Sequence, residues 1–161
     1  MIQVRRLLPA DLPAASGLAA RLVRLHHGYD PLRFMSIEPL EAGYERFLRS
    51  QIDRDGVVLI VAVEPRGGED VVLGYLFGSL EDRNWSDLRD ACGKIHDVYV
   101  DESARRQDVA TRLIEEAVGA LRAMGAPRVL LMTAWQNEPA RRLFAGLGFR
   151  PTMVEMTRET P

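Results

Sequence analysis

Cysteine and lysine are each represented by a single residue in this chain of 161 residues. Because Cys92 is the only cysteine, an internal disulfide and a metal site built from a cysteine cluster are both excluded, and we expect no metal. We interpret Cys92 as a small structural residue, since the sequence offers no credible Cys/His pair for a nucleophilic thiol. Lys94 is the only lysine among 21 basic residues, which limits acetylation of the protein's own lysines.

An excess of positive charge and long apolar runs are also missing. The formal net charge is -2, so the sequence has no basic surplus of the kind that nucleic-acid-binding proteins carry. No apolar run approaches the roughly 20 residues that a membrane-spanning helix needs. Residues 1–8 alternate polar and apolar positions up to Pro9, unlike a signal peptide. We therefore expect no nucleic-acid partner, no membrane partner and a cytoplasmic location.

The composition is that of an ordinary globular protein, with 47% hydrophobic and 27% charged residues. A chain of this length can bury a sizeable core, and it contains no internal repeat, low-complexity run or linker. We therefore expect a single domain over residues 1–161.

The periodicity of apolar residues predicts the element order β-α-α-β-β-β-α-β-α-β, an α/β fold with a mixed sheet and helices on both faces. Strands are expected at 2–8, 57–63, 71–80, 95–100, 129–133 and 149–156. Helices are expected from Asp11, as the cap, to about residue 25, and at about 39–52, 109–124 and 138–147. The sequence at 26–31 is expected to end the first helix.

Residues 94–111 combine a strand, a polar turn and the start of an amphipathic helix. The strand is rich in β-branched and aromatic residues, and Arg105 and Arg106 lie just before the helix. The first turn of a helix has unpaired N–H groups and a positive dipole end, and both favour an anion. This segment therefore predicts a site for a phosphorylated ligand, although two arginines before a helix could also be simply solvated.

Two segments resemble the signatures of the GNAT superfamily of N-acetyltransferases. Residues 105–110, with the sequence RRQDVA, resemble the pyrophosphate-binding loop of the family, Arg/Gln-x-x-Gly-x-Gly/Ala. Residues 137–149 resemble the second signature, Asn-x-x-Ala-x-x-Leu-Tyr-x-x-x-Gly-Phe. The resemblance covers nearly the whole chain. It implies a single GNAT-like domain with a central, mostly antiparallel sheet of six to seven strands, acetyl-CoA as the acyl donor, and a homodimer.

The resemblance also implies a set of residues around acetyl-CoA. Main-chain groups of the central strand would lie along the pantetheine arm, and the amides of 106–111 would hold the pyrophosphate. Asn137 would face the arm from the other side, and it could equally cap the helix that follows it. The implied set is Val98, Tyr99, Val100, Arg105, Arg106, Gln107, Asp108, Val109, Ala110, Thr111, Asn137, Ala140 and Phe144.

Two of these residues depart from the family pattern. Asp108 stands where the family has a glycine, and its carboxylate could repel the pyrophosphate or occupy the amides that would bind it. For two unit charges about 5 Å apart, the repulsion is roughly 1–3 kcal/mol for dielectric constants between 80 and 20. Phe144 replaces the tyrosine that usually protonates the leaving thiolate, so we expect a water, or no specific acid, to act there.

His96 and Asp97 are the candidate catalytic residues, and their adjacent positions predict side chains on opposite faces of the strand. Histidine titrates near neutrality, which suits a general base. The resemblance to polyamine-type and arylalkylamine-type members implies a base at His96 and an acid at Asp97. Alternatively, His96 is a structural histidine, and Asp97 anchors a cationic acceptor or orients a loop. Glu81 and Asp82 are further candidates for binding acceptor charge.

The function that these residues predict is transfer of an acetyl group from acetyl-CoA to a primary amine of a small molecule or peptide. The sequence has no Gly-x-Ser-x-Gly motif, which is consistent with direct attack and no covalent enzyme intermediate. The alternative is a GNAT-fold binding or regulatory module that has lost catalysis, which Asp108 and Phe144 favour. A different acyl-CoA is an alternative donor. Tyr29, Phe34 and Trp85 are candidates to line the acceptor pocket, although loop aromatics more often serve in packing.

Overall fold

Five strands form one mixed sheet in residues 1–160, the part of the chain that the computed structural model describes. They are β1 (Gln3–Arg6), β2 (Val57–Arg66), β3 (Glu69–Glu81), β4 (Cys92–Val100) and β5 (Val129–Leu131). The strands follow their chain order across the sheet. The pairs from β1 to β4 are antiparallel, and β4 pairs with β5 in parallel.

Four α-helices cover the two faces of this sheet. They are α1 (Leu12–Tyr29), α2 (Leu40–Gln51), α3 (Val109–Ala123) and α4 (Glu138–Gly146). Side chains of α1 and α2 pack in one core cluster, and those of α3 and α4 pack in another on the opposite face. None of the helices in the described part of the chain combines the length and the apolar character needed to cross a bilayer.

The apolar run of β2 explains how the sheet holds two cores. Successive side chains of a strand point to opposite faces, so a strand covered by helices on both sides is apolar at nearly every position. The core on the α3 side contains Val58, Ile60 and Ala62, and the core on the α1–α2 side contains Leu59, Val61 and Val63. The expected α/β architecture with helices on both faces is confirmed.

The expected number of strands is wrong, because the segment after Phe149 pairs with no strand in residues 1–160. A strand was expected at 149–156, but residues 150–160 are exposed and non-regular. Phe149 itself packs edge-on against Phe144, with ring centroids 6.1 Å apart. The segment is attached to the rest of the protein by an ion pair between Glu155 and Arg33, in the connector from α1 to α2.

The first helix also differs from its predicted bounds. α1 continues to Tyr29, and the ring Nδ1 of His26 lies 2.9 Å from the carbonyl oxygen of Leu22 inside the helix. Asp11 precedes α1 but makes no side-chain cap. Its carboxylate instead accepts hydrogen bonds from the backbone N–H of Leu8 at 2.7 Å and from Arg5 at 2.7 and 3.0 Å.

Asp11→Ala is expected to lower the free energy of unfolding by about 1–3 kcal/mol, because it leaves the Leu8 N–H and the Arg5 guanidinium short of a partner. Glu45→Ala is the control, since the Glu45–Arg49 pair is exposed and its loss should cost less than about 0.5 kcal/mol. Urea denaturation of both variants measures the difference. Equal losses in the two variants would contradict the assigned role of Asp11.

The contribution of Asp11 should also depend on pH. Burial acts to raise the pKa of Asp11, but the hydrogen bonds from Arg5 and Leu8 outweigh it and hold the pKa below its ordinary value. The stabilisation is therefore present above the ordinary pKa of an aspartate and is lost as the pH falls through the lower pKa of the folded state. The stability difference between wild type and Asp11→Ala should shrink on acidification.

Candidate functional site

A β-bulge in β4 places two polar side chains on the same face of the sheet. The register with β3 shifts between Phe77 and Gly78, which leaves His96 without a partner residue. The His96 ring stacks on Phe77, with centroids 4.9 Å apart, and Asp97 accepts a hydrogen bond of 3.2 Å from the Tyr75 hydroxyl. Phe77 and Tyr75 both lie in the core beneath α1 and α2. The prediction of opposite faces is wrong, because it assumed the regular alternation that the bulge interrupts.

A cleft opens where β4 and β5 separate. Their parallel pairing ends at Ile95 and Leu131, so the next residues of β4 border open space instead of a strand. The cavity in this space has a volume of about 490 Å³. Arg33 and Phe34 of the α1–α2 connector also line this cavity. Six residues predicted for the site meet in this cleft: His96, Asp97, Val98, Asn137, Ala140 and Phe144.

The His96 ring is held by two polar groups of β3. Its Nε2 lies 2.8 Å from the hydroxyl oxygen of Ser79 and 3.1 Å from a carboxylate oxygen of Glu81. Burial lowers the pKa of His96 below its ordinary value, while the negative charge of Glu81 acts in the opposite direction. The net effect favours the neutral imidazole, the form that can accept a proton.

Asp97 has one side-chain hydrogen-bond partner in residues 1–160, the Tyr75 hydroxyl. Burial raises the pKa of its carboxyl group, and the hydrogen bond from Tyr75 partly opposes this effect. Burial and the nearby charge of Asp97 raise the pKa of Tyr44 to about 12 and that of Tyr75 well above its ordinary value. Both phenols therefore remain protonated at neutral pH.

The loop before α3 contains a residue with a left-handed backbone conformation. Asp108 has a φ of +61°, in the left-handed region that normally favours glycine, and it is the N-cap residue of α3. Its side chain makes no capping hydrogen bond, so the possibility that its carboxylate occupies the first amides of the helix is not borne out. Those amides therefore have no side-chain acceptor from Asp108 and can receive an anion.

The side chains of this loop are exposed at residues 105–108. The Arg105 guanidinium lies 3.4 Å from both the Tyr99 hydroxyl oxygen and a Glu102 carboxylate oxygen, while Gln107 donates to the Ser103 carbonyl at 3.1 Å. Val109 is buried in the α3 core, and Ala110 and Thr111 are half-buried at the start of the helix. The loop thus presents its arginines and backbone to solvent.

Other predicted site residues contribute to packing. Tyr99 is buried beneath α1 and α2, and Val100 packs against the α3 core, so their side chains are part of the two cores. The side-chain oxygen of Asn137 accepts a hydrogen bond from the Ala140 N–H at 3.3 Å, which confirms its role as the N-cap of α4. Phe144 is buried at the inner wall of the cleft.

Ser79, Tyr75 and Tyr44 were not predicted as site residues, although the sequence contained a signal for two of them. The alternation of β3 puts Tyr75, Phe77, Ser79 and Glu81 on one face. Gly78 lies inside an otherwise apolar strand, and a glycine in such a position often marks a bulge. The structure has no room for a side chain there, because a Cβ on Gly78 would lie 2.9 Å from the Lys94 carbonyl oxygen.

Four residues proposed for the acceptor lie away from the lining of the cleft, namely Tyr29, Glu81, Asp82 and Trp85, whereas Phe34 lines it. Asp82 and Trp85 are exposed, and Trp85 stacks with Arg83 at 5.6 Å. Tyr29 contacts the His26 ring edge-on at the end of α1. Over residues 1–160, no group of three or more His, Cys, Asp or Glu side chains is arranged to hold a metal ion.

Comparison with known proteins identifies relatives of this architecture. The model of a family described as acetyltransferase (GNAT) matches residues 21–149. The chain resembles the BH1408 protein of Bacillus halodurans, solved as a tetramutant, with a TM-score of 0.80, 21% identity and 99% of each chain covered. No curated protein sequence is significantly similar to this chain.

Two further solved structures have different descriptions. Aminoglycoside N-acetyltransferase AAC(6')-Iy, in complex with CoA, has a TM-score of 0.77 and 16% identity over 99% of this chain and 95% of that one. A protein of Bacillus halodurans C-125 described as a transcriptional regulator has a TM-score of 0.68 and 21% identity over 99% and 100% of the respective chains. At these identities, the similarity demonstrates a shared fold.

Tyr75→Phe is expected to raise the pKa of Asp97 further, because it removes the hydrogen bond that stabilises the carboxylate. Titration of the Asp97 carboxyl carbon by NMR measures this pKa. Tyr99→Phe removes a hydroxyl from the same core without touching Asp97, and should leave its titration unchanged. A Tyr75→Phe protein in which Asp97 titrates at the wild-type pH or lower would contradict the assignment.

Proposed function

Because this chain belongs to the acetyltransferase (GNAT) family, we propose that it transfers an acetyl group from acetyl-CoA to a primary amine of a small molecule or peptide. One observation carries the proposal: the cleft between β4 and β5 brings a neutral histidine into the gap that separates the strands. A new C–N bond forms as the thioester C–S bond breaks, so the amine must lose a proton and the thiolate must gain one.

Residues of the cleft and of the loop before α3 fit the coenzyme. The open amides at the start of α3, with Arg105 and Arg106 beside them, suit a diphosphate. The β4 backbone at Val98, which borders the cleft, offers hydrogen-bonding groups to an extended amide-containing arm. Bound acetyl-CoA supplies the activated acetyl group. We assign the loop 105–111, the edge of β4, and Asn137, Ala140 and Phe144 to its binding.

His96 is proposed as the base that removes the proton from the amine, and Asp97 as the negative group that attracts the cationic form. Both side chains line the same cleft because of the bulge. Phe144 has no proton to donate, so we propose that a water protonates the thiolate. This mechanism needs no covalent enzyme intermediate.

A homodimer is part of the proposal. β5 is a three-residue edge strand, and the exposed apolar side chains of Met132 and Trp135 follow it in the chain. The final segment exposes three more apolar side chains, those of Met153, Val154 and Met156. An unpaired sheet edge next to exposed apolar side chains favours association with another chain. Light scattering on the purified protein measures its mass and tests the dimer.

The second candidate is a GNAT-fold binding or regulatory module without catalysis. The similarity to the protein described as a transcriptional regulator favours it, as do Asp108 and Phe144. Calorimetry with acetyl-CoA, followed by a thiol-release assay over a panel of amines, separates the two candidates. Binding of acetyl-CoA without turnover of any amine would favour the module.

Asp108→Asn is expected to bind acetyl-CoA about 5- to 150-fold more tightly, which corresponds to relief of roughly 1–3 kcal/mol of repulsion from the diphosphate. Asparagine tolerates the positive φ of this position, so the substitution tests charge with little change of backbone. Glu115→Gln removes an equal charge from an exposed position of α3 and is the control. Unchanged affinity in Asp108→Asn, measured by titration calorimetry, would reject the repulsion.

His96→Gln is expected to lower kcat by about 10²-fold or more, because it removes the general base. Its affinity for acetyl-CoA should stay near that of the wild type, since the proposed diphosphate site lies in another part of the chain. Thiol release measures the rate and calorimetry measures the binding. A variant that keeps wild-type kcat would show that His96 is a structural residue of the strand.

A further inference from the structure

Ser79, Glu81 and His96 form a closed set of hydrogen bonds at one edge of the imidazole. Besides its two contacts with His96, the set includes a bond from the Ser79 hydroxyl to Glu81, with the two oxygens 3.0 Å apart. Both contacts with His96 involve Nε2 of the ring. Within residues 1–160, Nδ1 of His96 has no hydrogen-bond partner.

The hydrogen atoms of this set can be assigned from the chemistry of its members. An ionised carboxylate can only accept, so Glu81 takes the hydroxyl hydrogen of Ser79. The Ser79 oxygen is then an acceptor for Nε2, and the Glu81 oxygen 3.1 Å away is another. A bare Nε2 would place its lone pair against a negative oxygen. Nε2 therefore carries the hydrogen, and Nδ1 has the free lone pair.

The imidazole also lies between two cavities. His96 lines both the cleft and a smaller cavity of about 380 Å³, which Ser79 and Glu81 line as well. Neither Ser79 nor Glu81 lines the cleft. The Nε2 edge of the ring is thus on the side of the smaller cavity.

We propose that Ser79 and Glu81 are positioning residues that hold neutral His96 as the Nε2–H tautomer, so that Nδ1 takes the proton of the acceptor amine. This inference rests on the proposed function. Proton uptake at Nδ1 gives an imidazolium whose positive charge faces Glu81. The imidazolium then releases the same Nδ1 proton to water in the cleft, and the ring returns to the neutral Nε2–H tautomer from which it started. The amine electron pair forms the C–N bond, and the thiolate leaves with the C–S electron pair.

Several other charged or titratable groups surround the ring. Those on or near the two cavities and on the neighbouring strands are His26, Arg33, Tyr44, Arg54, Asp55, Arg89, Lys94 and Asp97. Of these, the positive charge of Lys94 lowers the pKa of His96, while Glu81 raises it. Removing the charge of Glu81 should therefore lower the pKa of His96.

Glu81→Gln tests the proposal by NMR and by kinetics. In the ¹⁵N-labelled wild type, the ring nitrogen chemical shifts of neutral His96 should be those of the Nε2–H tautomer. Glu81→Gln should lower the population of that tautomer. In Glu81→Gln, the acid limb of the pH dependence of kcat/KM should move to lower pH. The kcat of this variant should fall about 10-fold or more, while its affinity for acetyl-CoA stays unchanged. Ser79→Ala should lower kcat, and Ser79→Thr, which keeps the hydroxyl, should restore it.

Glu69→Gln is the matched control, since Glu69 is an exposed acid at the far end of β3 and should leave both readouts unchanged. An Nδ1–H tautomer in the wild type, or an acid limb that does not move in Glu81→Gln, would overturn the proposal. The NMR measurement needs no substrate, so its result does not depend on transferase activity. A protein that fails to bind acetyl-CoA would overturn the proposed function, even where the Nε2–H tautomer is found.

Discussion

The separation of β4 from β5 after Ile95 is the constraint on which the candidate site depends. Continued parallel pairing would close the space between the two strands and would bury the backbone of Val98 in the sheet. The bulge at His96 falls immediately after the last paired residue, so it turns two polar side chains toward the cleft where the strands part. Helices pack on both faces of the sheet, and the candidate site lies where the pairing of its strands ends.

Much of the fold could be predicted from the sequence, because its signals are local. The continuous apolar run of β2, the helical periodicity of α3 and the N-cap signal of Asn137 each predict an element that the structure contains. The final strand could not be predicted correctly, since its apolar residues meet the pattern of a strand but pair with none in residues 1–160. Strand formation depends on a neighbouring strand, and a local pattern does not report one.

The candidate site was predictable by residue type and much less so by geometry. His96, Asp97 and the loop before α3 were identified from their chemistry, but the shared face of His96 and Asp97 follows from a bulge in the pairing with β3. The bulge depends on which residue lies opposite, so β4 alone does not reveal it. Asp108 shows the reverse case: it has the left-handed backbone that normally favours glycine, the residue of the family signature at this position, and it adds a negative charge there.

The burial of Cys92 has a practical consequence for spectroscopy. With 2% of its surface exposed, the native thiol is shielded from maleimide reagents, so a cysteine introduced elsewhere can be labelled selectively. Met153 is an exposed position close in sequence to Glu155, whose partner Arg33 lines the cleft. A fluorophore attached there would be close in sequence to this ion pair and outside the residues that line the cleft, which makes the chain suitable for stopped-flow and single-molecule observation.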